Sequence, residues 1–510
     1  MFHVSIIVGL LRFWPRQVFW TVTLAQAALW FLVPALFYAA PPGDLPYALA
    51  FGHEFQLGSY FGPPLVFWLA EIVYRLGGNS AVGLYLLAQI FVVTAYWAVF
   101  RLGCAIVGER HAAMATLLMV GIFALTLPTA EFGPPVVALP LTALIVLHLW
   151  RALGEGRRNY WFACALEIGL LLLTTYAGLI LAGLIALFIA MTERGRHALT
   201  FAEPWMAGVI AVVVLFPHLI WLDTAGEAVV PALQRLVSAE AADDNLMAWA
   251  RLAAGLVLMH AGLGVLVVLA SSWRGGAQGE VPEISRTPID PFARRFVYFF
   301  ALAPGFIATI FATVVGATGP AGGAPPLVVL SGLAVVVAAG DSIRFYRQQF
   351  VGLVWSALLL APPVVAAVSI AVLPWGIAAD LTVVQPAHAM GRFFAENFER
   401  RTGSPLSIVT GDPRLAVLVA LGAPSRPSLY IAGTPQRSPW IKAEDIVRKG
   451  AVVVWPASDA EGLPPPEIKR LFPDIAHEVP RAFERLVQGR LPLLRIGWGV
   501  IRPQGVSPSQ

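Results

Sequence analysis

Long apolar runs separated by short polar breaks organise the chain from about residue 17 to residue 374. A bilayer-crossing helix needs about 20 mainly apolar residues, and only helices or closed barrels satisfy every backbone polar group in lipid. Continuous runs, rather than ten-residue alternation, predict helices. Spans are expected near 17–40, 80–101, 112–128, 134–151, 160–174, 176–192, 205–222, 247–271, 296–317, 325–340 and 351–374. The first run is longer than a signal-peptide core and no small-residue cleavage site follows it, so it reads as the first crossing helix. The spans 160–174 and 176–192 are short and divided only by Thr174 and Thr175, which predicts a hairpin lining a cavity.

Residues 64–77, PLVFWLAEIVYRLG, are amphipathic at helical spacing, with Glu71 and Arg75 one turn apart. This pattern predicts a helix lying along the membrane surface rather than crossing it. Beyond Trp375 the pattern changes again. Charges are interspersed, β-rich runs occur in LSIVTGD, SLYIAG and AVVVWPA, and helix-like segments at 413–422 and 442–449 separate them. Strands alternating with helices predict a small α/β domain over 375–500 with parallel strands. The last residues, 501–510, read as a disordered tail. The expected fold class is therefore an α-helical polytopic membrane protein, with a transmembrane domain over 1–374 and a small C-terminal α/β domain outside the membrane.

Composition supports the membrane reading. Of 510 residues, 58% are hydrophobic and 13% charged, with a mean hydropathy of +0.74, more apolar surface than a soluble domain can bury. The formal charge of +4 is spread through loops between spans, so it predicts no nucleic-acid partner. Arg12, Arg16, Arg101, Arg110, Arg151, Arg157, Arg158, Arg194, Arg196, Arg274, Arg286, Arg294, Arg295, Arg344 and Arg347 fall on one side of the expected topology, against little beyond Arg75 and Arg235 on the other. Lys and Arg collect in cytoplasmic loops, so the N-terminus is expected inside and the segment 41–79, the AEFGPP loop, the loop 223–246 and the C-terminal domain outside. Cys104 and Cys164 lie in or beside spans and suggest neither a disulfide framework nor a metal site. No internal repeat is evident, which counts against a transporter built from duplicated halves.

Candidate chemistry concentrates after the first span, in PPGDLPYALAFGHEFQLGSYFGPPL. Asp44 follows the helix, GSYFGPP comes later, and the amphipathic segment comes next. Further along stand WFACALEIGLLLLTTYAGLIL and FPHLIWLD. This order resembles the GT-C membrane glycosyltransferases of the dolichyl-phosphate-mannose protein mannosyltransferase type, whose bacterial members include the aminoarabinose and lipopolysaccharide galacturonic-acid transferases. The resemblance spans roughly residues 20–225. It implies an inverting transfer of a sugar from a polyprenyl-phosphate donor to an envelope acceptor of the lipid A or lipopolysaccharide-core type, in a bacterial inner membrane with the C-terminal domain in the periplasm. Leu45, Gly62 and Thr175 stand where that family usually has Glu, an Asp-His pair and Lys.

Inverting transfer needs a base near the acceptor hydroxyl. The resemblance places Asp44 in that role. The leaving phosphate needs compensating positive charge or N–H donors, for which Arg75, Arg235 or a divalent ion held by Asp44 and Glu54 is available. His53, Glu54, Tyr60, Arg75, Glu131, Tyr176 and His218 are the candidate donor- or acceptor-binding residues. Five of the candidates also have a structural account: Asp44 as a turn residue after Pro-Gly, His53, Glu54 and Glu131 as solvated surface groups, His218 as a headgroup-level residue beside Trp221. Glu167 lies inside a span, where an ionisable group is suspected of function or bonds a Ser or Thr of a neighbouring helix. His260, in mid-span, reads as a packed core histidine. Two other functional readings stand beside the transferase: a catalytically degenerate relative that binds a lipid carrier or glycan, and a transporter.

Overall fold

A computed structural model describes residues 6–127, 131–226, 245–271, 283–315, 323–345, 347–431, 437–458, 461–473 and 475–503. Arg235, Arg274 and the end of the expected tail, 504–510, lie outside the described residues. The described residues form two compact units, one holding 6–32, 85–224 and 245–365, the other 33–84, 225–226 and 366–503.

The first unit is helical. Six helices of the described chain are long and apolar enough to cross a membrane: Pro15–Phe37, Val82–Val107, Pro134–Leu153, Glu203–Thr224, Pro291–Val314 and Gln348–Gly376. The pair Asn245–Met259 and Ala261–Ala270, bent by 49°, makes a seventh if counted as one span. A helix occupies each of the other expected positions but is short or broken, so the count of eleven crossing helices is not reached by length. The helix at 112–128 runs only over Glu109–Met119, because Gly121 is pressed against another backbone: its carbonyl accepts from the Leu263 amide at 2.8 Å, and a Cβ there would lie 2.6 Å from that nitrogen. The segments 160–174 and 176–192 give helices Tyr160–Leu172 and Gly178–Met191. Their join is held locally, Thr174 Oγ1 donating to the Leu170 carbonyl and Thr175 Oγ1 accepting from the Ala177 amide. The segment 325–340 splits into Ala324–Val328 and Ser331–Ala338.

Large aromatics fill this unit: Phe188 packs against Phe296 and Phe300 at 5.5 and 5.3 Å, and Phe19 stacks on Phe100 at 4.3 Å. In lipid such shape-matched contact, not water exclusion, holds helices together. Two short antiparallel strands, β1 (Glu283–Ser285) and β2 (Ser342–Arg344), also belong here.

The second unit joins the first loop to the C-terminal residues. Its five-stranded sheet comprises β3 (Ile408–Gly411), β4 (Ser428–Tyr430), β5 (Ala451–Pro456), β6 (His477–Phe483) and β7 (Leu494–Ile501), in the order β4-β3-β5-β7-β6. β3 pairs in parallel with both β4 and β5, and β7 runs antiparallel to β5 and β6. Alternating side chains face opposite layers. Val409, Val452 and Val454 pack toward helices Ala387–Thr402 and Pro413–Gly422, while Ile408 and Ala451 pack with Ile441 and Ile446 on the other side. The first-loop helix Leu45–Gly52 contributes Ala50 and Phe51 to the former layer.

Candidate functional site

Asp44 immediately precedes the helix Leu45–Gly52, is exposed, and makes no side-chain capping bond to it. The Tyr47 phenol, one turn on, is raised above its ordinary range by burial, with the Asp412 and Asp44 charges adding to the rise and Arg414 and Arg437 opposing it. Asp44 thus shares its surroundings with residues of the C-terminal sheet domain.

The next helix, Leu65–Leu76, carries Glu71 and Arg75 on adjacent turns as its periodicity predicts, yet Glu71 is only 1% exposed. It is the centre of an ion cluster. Arg75 Nε donates to Glu71 Oε1 at 2.6 Å, His53 Nδ1 lies 3.2 Å from the same oxygen, and Arg426 Nη2 reaches Glu71 Oε2 at 2.7 Å. The Arg426 guanidinium also lies 4.5 Å from the centre of the Tyr74 ring. Burial pushes the Glu71 carboxyl upward, but the His53 and Arg75 bonds and the Arg426 charge outweigh it and hold the group below its ordinary 4.5. His53 and Arg75, read as substrate contacts, are therefore engaged with a structural carboxylate. His53 stays 31% exposed beside that bond. Glu54 is half-buried, with Oε1 lacking a hydrogen-bond partner among the described residues. The Tyr60 hydroxyl accepts from Arg437 Nη2 at 3.3 Å beneath a guanidinium 4.7 Å from its ring centre.

The remaining candidates belong to the first unit. The Tyr176 hydroxyl and His218 Nε2 are 2.9 Å apart, His218 is 1% exposed, and its ring stacks on Trp221 at 5.4 Å. This pair was not anticipated as a pair, and it stands beside the expected contact of His218 with Trp221. Glu131 is exposed just before the helix Pro134–Leu153. Glu167 finds His148 Nδ1 at 2.7 Å, an ion partner rather than the expected Ser or Thr. His260 is satisfied at both nitrogens, Nδ1 by the Leu256 carbonyl at 2.7 Å and Nε2 by Ser331 Oγ at 2.8 Å, as a packed histidine should be. Among the described residues no three His, Cys, Asp or Glu side chains gather as a metal site, so Asp44 and Glu54 have no third ligand of that kind to complete one. Two cavities lie in this unit: a small one of about 40 Å³, lined by Thr142, Thr175, Gly178 and Phe300, and an apolar one of about 1190 Å³, lined by Trp14, Gln17, Arg344 and Trp355. Neither lining includes a predicted site residue, although Thr175 adjoins Tyr176.

Comparison with known proteins fits this geometry. The family model described as dolichyl-phosphate-mannose-protein mannosyltransferase matches residues 62–221. The crystal structure of ArnT from Cupriavidus metallidurans bound to undecaprenyl phosphate superposes with a TM-score of 0.60 at 13% identity, covering 96% of this chain and 99% of that one. The fold is that of a GT-C membrane glycosyltransferase. The apo form of the same ArnT gives an equal TM-score, 0.60, over 97% of this chain and 99% of that one. A search of curated protein sequences gave no match. The GT-C likeness takes in the C-terminal sheet domain as well as the helices. Sequence reasoning missed Glu71 and Arg426 as partners, since 355 residues separate them and no local pattern signals the pair.

Proposed function

We propose that this protein is an inverting glycosyltransferase that moves a sugar from a polyprenyl-phosphate donor to an envelope lipid or glycan acceptor of the lipid A or lipopolysaccharide-core type. The observation that carries it is the likeness to ArnT along nearly the whole of both chains, together with the family match over 62–221. The ArnT structure holds undecaprenyl phosphate, and the donor of this chain is read by analogy as a sugar on such a carrier. The reacting groups are assigned on this chain's own residues. Asp44, an exposed carboxylate at the head of a short helix, takes the acceptor hydroxyl proton as that oxygen attacks the anomeric carbon. The bond from that carbon to the phosphate oxygen breaks on the opposite face, which inverts the centre, and the carrier leaves as its phosphate. Tyr176, whose hydroxyl lies 2.9 Å from His218 Nε2, keeps its assignment as a donor- or acceptor-binding residue. The chain acts in a bacterial inner membrane, with Asp44 and the C-terminal domain on the periplasmic side.

Membranes containing the protein are expected to transfer sugar from a polyprenyl-phosphate donor to a lipid or glycan acceptor, and membranes from a deletion strain are not. Asp44→Asn removes the base and lowers transfer by about 10²–10⁴-fold. An Asp44→Asn protein with full transfer activity would sink the assignment.

A second reading, a degenerate relative that binds a lipid carrier or glycan without chemistry, is favoured by one observation. Arg75, on the first-loop helix Leu65–Leu76, is committed to Glu71, and Thr175 stands at the position of the family lysine. Carrier binding without turnover in purified protein decides for it.

A further inference from the structure

The large cavity of the helical unit lies apart from the transfer chemistry, since no residue assigned to that chemistry lines it. Its lining is drawn from the starts of the helices Pro15–Phe37 and Gln348–Gly376, from Glu109–Met119, from the end of Ala261–Ala270, and from Ser331–Ala338 and β2. These are the ends of the helices next to the arginine-rich connections. Val18, Leu118, Leu266 and Val335 supply apolar wall. At about 1190 Å³ the cavity exceeds the roughly 300–1,000 Å³ of pockets that hold small ligands. Apolar walls do not retain water, so a ligand that carries hydrocarbon chains is the occupant that fits.

The polar part of the lining specifies the other end of that ligand. Gln348 is 9% exposed and donates Nε2 to the Phe345 carbonyl at 3.3 Å, while its Oε1 is buried with no hydrogen-bond partner among the described residues. Folded proteins seldom leave a buried acceptor unmet, so the ligand is expected to bring a hydroxyl or N–H donor. Arg344, also in the lining, donates Nε to Glu283 Oε2 at 3.2 Å, and Arg12 donates to the Glu283 carbonyl. Arg110 Nε donates to the Arg12 carbonyl at 3.1 Å. Three guanidinium groups thus gather about one carboxylate among the described residues. The neighbouring Arg16 and Arg286 each have an acid of their own, Glu109 and Asp341. The surplus is positive, and basic pockets between membrane helices take anionic lipid headgroups.

We propose that this cavity binds one diacyl phospholipid with an anionic, hydroxyl-bearing headgroup, of which phosphatidylglycerol is the simplest. Its chains lie among Val18, Leu118, Leu266 and Val335, its phosphate faces Arg344, and a headgroup hydroxyl donates to Gln348 Oε1. The lipid is a resident of the helical unit rather than a substrate, so the inference stands whether or not the chain is a transferase.

Native mass spectrometry of the purified full chain in detergent, titrated with dioleoyl phosphatidylglycerol, phosphatidic acid and phosphatidylcholine, tests it. One phosphatidylglycerol is expected to bind, about tenfold more tightly than phosphatidylcholine. Arg344→Ala is expected to weaken phosphatidylglycerol and phosphatidic acid alike, about tenfold. Gln348→Leu is expected to weaken phosphatidylglycerol by about tenfold and to leave phosphatidic acid, which lacks the headgroup hydroxyl, unchanged. A merely structural role of Gln348 would move both lipids together. The Arg344 side chain is 60% exposed, so its removal should leave the melting temperature unchanged. Equal binding of phosphatidylglycerol and phosphatidylcholine overturns the proposal, as does binding that neither substitution alters. A competition with undecaprenyl phosphate distinguishes the other lipid phosphate: if it displaces phosphatidylglycerol at equal or lower concentration, the cavity belongs to the carrier and the proposal fails.

Discussion

Glu71 is a carboxylate withdrawn from water, compensated by two guanidinium groups, the local Arg75 and Arg426 from the C-terminal residues, and bonded besides by His53. Breaking a buried ion cluster by removing one charge leaves the others uncompensated and costs about 3–5 kcal/mol, far more than the pair adds over an apolar substitute. Arg426 carries most of that loss, because its side chain is 12% exposed while those of His53 and Arg75 are 31% and 50% exposed and can rehydrate. Glu71→Gln is therefore expected to lower the unfolding temperature in detergent, and Arg75→Ala to lower it much less. The pH dependence has a definite sign. A carboxyl held below its unfolded value stabilises the fold above that value, and the contribution is lost as pH falls through the folded one. Stability is expected to decline as the medium is taken below about pH 4.5, the ordinary value of the group, and Glu71→Gln is expected to flatten that decline. A thermal-melt series from pH 3 to 7 on both proteins reads it.

At the scale of elements, the C-terminal layer depends on two helices crossing at glycine. A Cβ on Gly391 would lie 2.0 Å from the Gly422 carbonyl carbon, and one on Gly422 would lie 1.9 Å from the Ala387 oxygen. Neither neighbour is a flexible side-chain tip, so the backbones themselves have to separate. Gly391→Ala is expected to destabilise this unit by roughly 1–3 kcal/mol or more, the range in which overpacking falls. Circular dichroism melts of the mutant should show it, whereas Gly183→Ala, where nothing lies within 4 Å, should melt as the parent does. The legible elements were those with a local signature. β3, β4 and β5 stand out as short β-rich runs bounded by Gly, Asp and Pro, and Asp412-Pro413 reads as a helix start. β6 does not stand out, because HEVPRAF interleaves charges and carries Pro480 inside the strand. It exists because β7 pairs with it, with a register shift between Glu478 and Arg481 that accommodates the proline. The same contrast holds in the first unit. Apolar runs located the helices, but the break at Gly121 depends on its contact with Leu263 rather than on the run itself. Asp44 and Tyr60 were singled out from motif order alone, while the Tyr176–His218 and Glu71–Arg426 contacts required the fold.

On the scale of the whole molecule, the boundary that sequence composition marks at Trp375 is not the boundary of the compact units. Residues 33–84 cluster with those from 366 onward, so the first loop is part of the C-terminal body rather than a free connector between spans. Ala40, Ala50 and Phe51 belong to one buried cluster with Phe394, Leu418 and Val454, and Glu71 has its deepest partner in Arg426. Removing residues 376–510 would strip that cluster of most of its members and leave Glu71 with only its two partly exposed partners. Helix insertion relies on the apolar spans instead, of which six among the described residues are long enough by themselves. A truncated chain ending at Trp375 is therefore expected to enter the membrane but to lose order in residues 41–79. Limited proteolysis should cut the truncated protein in this loop at concentrations that leave the full chain intact, and cysteines placed at Gln56 and Asn79 should label faster. Equal protection of the loop in both proteins would show that it folds without the C-terminal domain. Asp44 would then be positioned by the first loop alone.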